Sequence, residues 1–214
     1  MPAKAGVWGG RTAAERHAER RQRLIDAATE IWVESGWAAV TMRGVCARTS
    51  LNDRYFYEHF SDRDDLLATV WDGIRDGLIA DLVGVLTEDP DRPPIDTLAK
   101  GISVVVGRIS DDPAWAQISF GHHVGSAVLE QRRTAVLHQA TDIIVASAKP
   151  YLKPGADEIG LRMDTLVGIG GFVELITAWQ SGLFDVDARQ ISDHCSRLGE
   201  TLGSVYLITD APEN

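Results

Sequence analysis

Residues 23–67 read RLIDAATEIWVESGWAAVTMRGVCARTSLNDRYFYEHFSDRDDLL. Leu24, Ala27, Ala28, Ile31 and Trp32 recur at spacings of three and four, the apolar stripe of a helix with one buried face. Gly36 follows the run and fits the left-handed position that ends a helix. Thr41 reads as the N-cap of a short helix to about Arg48, with Val45 inward, and Asn52 caps the next, to about Phe60. Ser61 with Asp64 resembles a capping box, Asp replacing the usual Glu, and opens a long helix to about Leu86. Its stripe is Leu67, Val70, Trp71, Ile74, Leu78, Leu82 and Val85.

Three helices with a short middle one, a tight turn and a short third form a helix-turn-helix, whose third helix is expected in the DNA major groove. At 100° per residue Phe56 and Phe60 share one face and anchor that helix with Leu51 and Val45. Arg54 and Glu58 then point away from the core, with Tyr55 and Tyr57 on the flanks. Arg54 is placed to reach guanine O6 and N7 with its guanidinium fork. Tyr55 can offer a ring edge to a thymine methyl or its hydroxyl to phosphate. Tyr57, His59 and Thr41 are placed to hydrogen-bond phosphates, aided by backbone N–H groups at the helix starts. Asp53 either accepts from cytosine N4 or stabilises the helix N-terminus by charge.

The whole chain has 214 residues, of which 44% are hydrophobic and 24% charged, which excludes wholesale disorder and leaves room for one large or two modest domains. No apolar run approaches the ~20 residues of a bilayer span, and the first residues carry no apolar secretion segment. A cytoplasmic protein is expected. Cys46 and Cys195, far apart, form neither a disulfide framework nor a zinc cluster. The formal net charge is −10, yet residues 1–57 carry +3 and the remainder −13. Such asymmetry suits a basic end meeting a polyanion, or a solvated basic helix without a partner.

Further helices are expected at about Ile95–Ile109, Pro113–His122, Ser126–Lys149, Asp157–Gly182 and Asp187–Ile208, making the chain all-α. Asp112 before Pro113 caps the second of these; Ile102–Ile109 could equally be a strand. The Asp157 helix is apolar nearly all round and is expected to be buried on most sides. Trp71, Ile74, Leu78, Trp115, Phe120, His123, Phe172 and Trp179 are candidates to line a ligand pocket, or are ordinary core. Phe172, Leu198, Leu202 and Val205 are candidate anchors of a homodimer through the last two helices. His122-His123 reads as pocket lining or surface rather than a metal site, because neighbouring helix residues diverge and no carboxylate or Cys sits three or four residues away. Asp193-His194-Cys195 cannot form a relay on one helix. Gly168-Ile169-Gly170-Gly171 lies mid-helix without a preceding strand, which favours close packing or a kink over a phosphate loop. Neither an enzyme nor a cofactor or metal site is expected.

Residues 23–67 also resemble the DNA-binding domain of the TetR (tetracycline-repressor) family, in the Ala27-Ala28 pair, the Gly36-Trp37 turn, Thr41, Tyr57-Glu58-His59-Phe60 and Leu66. The resemblance implies that Thr41, Arg43 and the segment Asn52, Asp53, Arg54, Tyr55, Tyr57 and His59 contact DNA. It places Arg63 where the family has a phosphate-binding Lys. The family's Gly-Val-Ser turn is Ser50-Leu51-Asn52 here, and its Gly-Thr pair is Arg54-Tyr55. These departures keep an N-cap and alter the surface offered to the bases. Beyond about Trp71 the resemblance survives only as architecture: an effector pocket, and a pairing of the last two helices. It implies a basic N-terminal extension at 1–19, a helix-turn-helix domain at 20–66 and a ligand-binding and dimerisation domain at 67–214. Arg11 to Arg23 would be an arm onto DNA or a solvated extension. The function expected is a ligand-responsive transcriptional regulator, usually a repressor, that binds a palindromic operator as a dimer and is released by a small apolar effector. The alternatives are a DNA-binding adaptor without effector and an all-α ligand carrier or enzyme.

Overall fold

A computed structural model describes residues 12–208; Lys4 and Arg11 of the basic extension lie outside the described residues. The described chain is all-α, the one pairing of extended backbone among these residues being an isolated bridge between Leu152 and Leu207. Its contacts divide it into two compact units, with the division after Gly73.

The N-terminal unit holds α1 (Ala13–Ser35), α2 (Met42–Thr49), α3 (Asp53–Tyr57) and the start of α4 (Arg63–Glu88). Helix α1 begins well before its apolar stripe, because Thr12 and Glu15 form a reciprocal capping box: Thr12 Oγ1 accepts from Glu15 N at 3.1 Å and Glu15 Oε2 from Thr12 N at 2.5 Å. Residues 13–19 of the expected extension are therefore helical. Leu24, Ala27, Ala28, Ile31 and Trp32 are the buried side of α1, and they pack in a core with Val40, Val45, Phe56, Phe60, Leu66 and Leu67 buried.

Two caps differ from expectation. Gly36 has φ +83° but ψ 161°, an extended conformation open essentially to glycine alone, not the left-handed helical one. The left-handed residue is Ser50, at φ 56° and ψ 31°, where α2 turns toward α3. Helix α4 is capped one residue later than the Ser61–Asp64 pairing suggests. Asp62 Oδ1 accepts from Asp65 N at 2.9 Å, and Asp65 Oδ2 reaches back to Ser61 N at 2.9 Å. Asp62 is the cap, and because Asp65 accepts from the N–H of the residue before it, the pair falls short of a reciprocal capping box.

The C-terminal unit holds the rest of α4 with α5 (Pro94–Asp111), α6 (Pro113–Phe120), α7 (Ala127–Ala148), α8 (Glu158–Gln180) and α9 (Ala188–Tyr206). The Ser-Val-Val-Val run is helical, inside α5, where Val105, Val106 and Ile109 face inward. Asp112 caps α6, accepting from Trp115 N at 2.9 Å. Helix α6 stops at Phe120, so His122 and His123 lie in a linker and not on a helix. Gly199 and Gly203 let α9 approach α5: a Cβ at Gly203 would stand 2.3 Å from Ile95 Cδ1.

Helix α8 is not buried on most sides. Only Leu161 and Ile176 are fully buried, while Ile159, Met163, Leu166 and Val167 are exposed, Val167 at 72%. Within the glycine run, a Cβ at Gly168 would stand 3.7 Å from Leu202 Cδ1 of α9, and one at Gly170 or Gly171 would meet nothing within 4 Å.

Candidate nucleic-acid interface

The site is built on a hydrophobic seat. Phe56, Phe60 and Val45 are fully buried, and the two Phe rings stand 5.8 Å apart. With that face fixed, Asn52, Asp53, Arg54, Tyr57 and Glu58 are turned outward and exposed. Asn52 caps α3, its Oδ1 accepting from Tyr55 N at 3.2 Å, so its amide NH2 is left for another partner. Thr41 caps α2 in the same way, accepting from Gly44 N at 3.1 Å, and Arg43 is exposed in the first turn of that helix. Helix α3 ends at Tyr57, and the chain then closes a turn through His59 N to Phe56 O and Phe60 N to Phe56 O, both 3.0 Å.

Arg54 is an open cation on this face. Its side chain is 84% exposed, and Nε lies 3.2 Å from Glu58 Oε1. That pairing keeps the guanidinium near the helix surface without burying it. By contrast Arg48 is spent on Glu34, at 2.6 Å, and Glu30, at 3.4 Å, and its hydrogen bond holds the Glu34 carboxyl below the usual carboxylate range.

Two expected phosphate contacts are placed differently. His59 points at α1: its ring lies 4.1 Å from that of His17, and both of its ring nitrogens are shut off from solvent. It therefore cannot reach a phosphate from this position. Arg63 turns back onto the Trp37–Ala39 turn, with Nε donating to Val40 O at 2.5 Å and Nη2 to Trp37 O at 2.8 Å. Its guanidinium also covers the Trp37 ring at 5.3 Å and stands 3.7 Å from Asp64. Arg63 thus buttresses the site from behind.

Sequence reasoning missed the contribution of α1. Arg20 lies over the Tyr55 ring at 4.9 Å and Arg21 over Phe60 at 5.2 Å, while Arg23 donates to Thr49 O. The signal was present as positions 17, 20 and 21 on one helical face opposite aromatics at 55, 59 and 60.

In the C-terminal unit Trp115 and Phe120 are buried together, and Phe172, Trp179, Ile74 and Leu78 pack against them. Edge-to-face contacts link Trp115 to Phe120 (5.9 Å) and Phe120 to Phe172 (6.3 Å), and Trp179 Nε1 donates to Val186 O at 2.8 Å. Trp71 is buried on the other side of the division and is not part of this cluster. His123 is buried in the α6–α7 linker, and burial pushes its imidazole below the ordinary histidine range. An open cleft of about 490 Å³ lies along one face of α5, lined among others by Asp81, Lys100, Ser103, Gly107, Arg108 and Asp111. Arg108 pairs there with Asp81 and covers the Trp115 ring at 4.8 Å. Leu198 and Val205 are exposed and Leu202 is half-buried. Phe172 is partly buried and packs against the aromatic core. Among the described residues no group of three or more His, Cys, Asp or Glu is gathered for a metal, and no helix is long and apolar enough to cross a membrane.

A short helix seated on two phenylalanines, with its polar face open beside a capped partner helix, defines the class of helix-turn-helix DNA-binding domains. Residues 24–70, most of the N-terminal helix-turn-helix, match the family of bacterial regulatory proteins, tetR family. The chain as a whole has the TetR-like fold, an N-terminal helix-turn-helix domain followed by a helical domain. It is similar to a TetR-like transcriptional regulator from Rhodococcus sp. RHA1, at 13% identity and TM-score 0.67, over 86% of this chain and 94% of that one. It is also similar to SmeT, the repressor of the Stenotrophomonas maltophilia multidrug efflux pump SmeDEF, at 18% identity and TM-score 0.68, over 91% and 94%. SmeT is known too as a complex with triclosan. A third likeness is to the transcriptional regulator FadR from Bacillus subtilis in complex with stearoyl-CoA, at 18% identity and TM-score 0.64, over 83% and 96%. At these identities the likeness is one of fold. No curated protein matches the sequence.

Proposed function

We propose that the chain is a ligand-responsive transcriptional regulator that binds a palindromic operator as a homodimer. The observation that carries this is the open polar face of Asn52 to Tyr57 on its buried Phe56–Phe60 seat. Arg54 and Tyr55 read base edges, Asn52, Asp53 and Tyr57 complete the contact face, and Thr41 and Arg43 hold phosphate. The dimer forms through α8 and α9, where Ile159, Met163, Val167, Leu198 and Val205 leave an apolar face exposed. Two recognition helices then meet half-sites about one helical turn, ~34–36 Å, apart.

The effector is an organic molecule with a substantial apolar part, in keeping with the triclosan and stearoyl-CoA bound by the two similar regulators. It acts by unequal affinity for two arrangements of the dimer, transmitted by α4, the helix that continues from one unit into the other. A coupling of ~1–3 kcal/mol changes operator affinity about 5- to 150-fold. Selection of binding sites from random duplexes tests the first part: an enriched inverted repeat is expected, and enrichment of no sequence would overturn it. For the second part, calorimetry with and without operator should give the same factor in both directions; equal effector affinities in both titrations would remove that ligand as effector.

A further inference from the structure

The first half of α1 buries no apolar residue; its buried stripe begins at Leu24. Three of its side chains instead each cover an aromatic ring of the recognition segment. The His17 ring meets that of His59 at 4.1 Å, tilted by 55°, the Arg20 guanidinium lies over Tyr55 at 4.9 Å, and that of Arg21 over Phe60 at 5.2 Å. Positions 17, 20 and 21 share one helical face, so the three contacts act as a single clamp. The ring held by Arg20 belongs to a residue assigned above to the bases.

The clamp has an unusual charge balance. The groups facing His59 are His17, Arg20 and Arg21 from α1, and Glu58 from its own segment, which is itself paired with Arg54. Both His59 ring nitrogens are sealed from solvent and have no hydrogen-bond partner among the described residues. A proton there would add a cation with no acceptor to a site already holding two guanidinium groups and a second imidazole.

We propose that His17, Arg20 and Arg21 are positioning residues for the recognition segment, and that their clamp holds only while His59 is neutral, so that acidification releases the segment and weakens sequence-specific DNA binding. The consequence for DNA rests on the function proposed above, whereas the clamp is a property of the protein alone. Burial first, and then His17 and Arg20, hold the His59 imidazole below its ordinary range. A released imidazole takes up a proton near pH ~6.5, and the clamped one only at lower pH. The clamped state is therefore fully favoured above about 6.5 and is lost as pH falls through the lowered value. One proton of difference changes the equilibrium at most about tenfold per pH unit.

The test follows the full chain from about pH 7.5 to about pH 5.5, the span in which histidine changes charge. Imidazole NMR should show His59 titrating below its ordinary value, with Tyr55 signals shifting in the same step. Binding is compared between a duplex recovered from a random pool and an unrelated duplex of equal length, which cancels the general gain in attraction as the protein becomes more positive. The ratio should fall several-fold on acidification, and should stay flat in His17→Phe/His59→Phe, which keeps two rings but no titrating nitrogen. Arg20→Gln should relax preference at one base position, and Arg20→Lys should restore most of it. A His59 that titrates at or above its ordinary value, or identical pH profiles for wild type and double variant, would overturn the proposal. Should the double variant not fold, the wild-type titration decides alone. Should no duplex be recovered, the DNA-binding reading fails and the same titration still decides the clamp.

Discussion

Arg54 and Arg63 are both arginines of the helix-turn-helix, and their surroundings assign them different work. Arg54 is open on the outer face of α3, so Arg54→Ala should cost ~1–3 kcal/mol on the selected operator and relax one base position. Equal loss on every duplex would make it a phosphate contact. Arg63 has Val40 and Trp37 carbonyls as acceptors, so Arg63→Ala should lower thermal stability by ~1–3 kcal/mol, the usual cost of leaving such groups unpaired. A variant that melts like wild type but loses about one phosphate from its salt dependence would return Arg63 to the DNA backbone. The outward turn of Arg54 and Glu58 was legible because one buried phenylalanine pair fixes the phase of a helix. The placements of His59 and Arg63 were not, because each depends on a partner more than twenty residues away, His17 in one case and the Trp37 turn in the other.

At the scale of elements, the helices could be read from apolar spacing, while their ends depended on local hydrogen bonds that several residues could make. Ser61-Asp62-Arg63-Asp64-Asp65 offers overlapping caps, and the one formed is Asp62 with Asp65. Asp62→Ala should therefore cost about 0.5–2 kcal/mol by thermal melt, against much less for Asp64→Ala; the reverse order would restore the earlier register. Ser50 gives a second measurable case. A non-glycine residue in the left-handed region carries roughly 1–2 kcal/mol of strain, partly offset in glycine by the freer unfolded chain. Ser50→Gly should raise stability by about 0.5–1 kcal/mol, as denaturant midpoints would show. A loss of stability would mean that the Ser50 side chain contributes more than the strain it carries.

For the whole molecule, the all-helical architecture and the helix-turn-helix were legible because periodicity and one short gapless motif carried them. The ligand site was not, since aromatic residues fill a core and line a pocket with the same spacing. Trp115, Phe120 and Phe172 are packed edge to face, and open volume lies instead along the polar face of α5. The all-round apolarity of α8 was equally ambiguous between burial in the unit and burial against a second copy. Val167 and Val205 separate the two, because neither is needed inside one chain. Val167→Glu with Val205→Glu should leave the melting profile of helical signal intact while sedimentation shifts toward monomer and operator binding falls. A variant pair that still sediments as dimer would move the interface elsewhere. Finally, Gly73 marks the division within α4, and a Cβ there would meet nothing within 4 Å. Glycine inside a helix gives up about 1 kcal/mol relative to alanine, so Gly73, like Gly77 and Gly84 further along, weakens this 26-residue helix locally. Amide hydrogens near Gly73 should exchange with deuterium ahead of those on either side, and Gly73→Ala should slow them, turning a joint into a strut and changing how much of any signal crosses it.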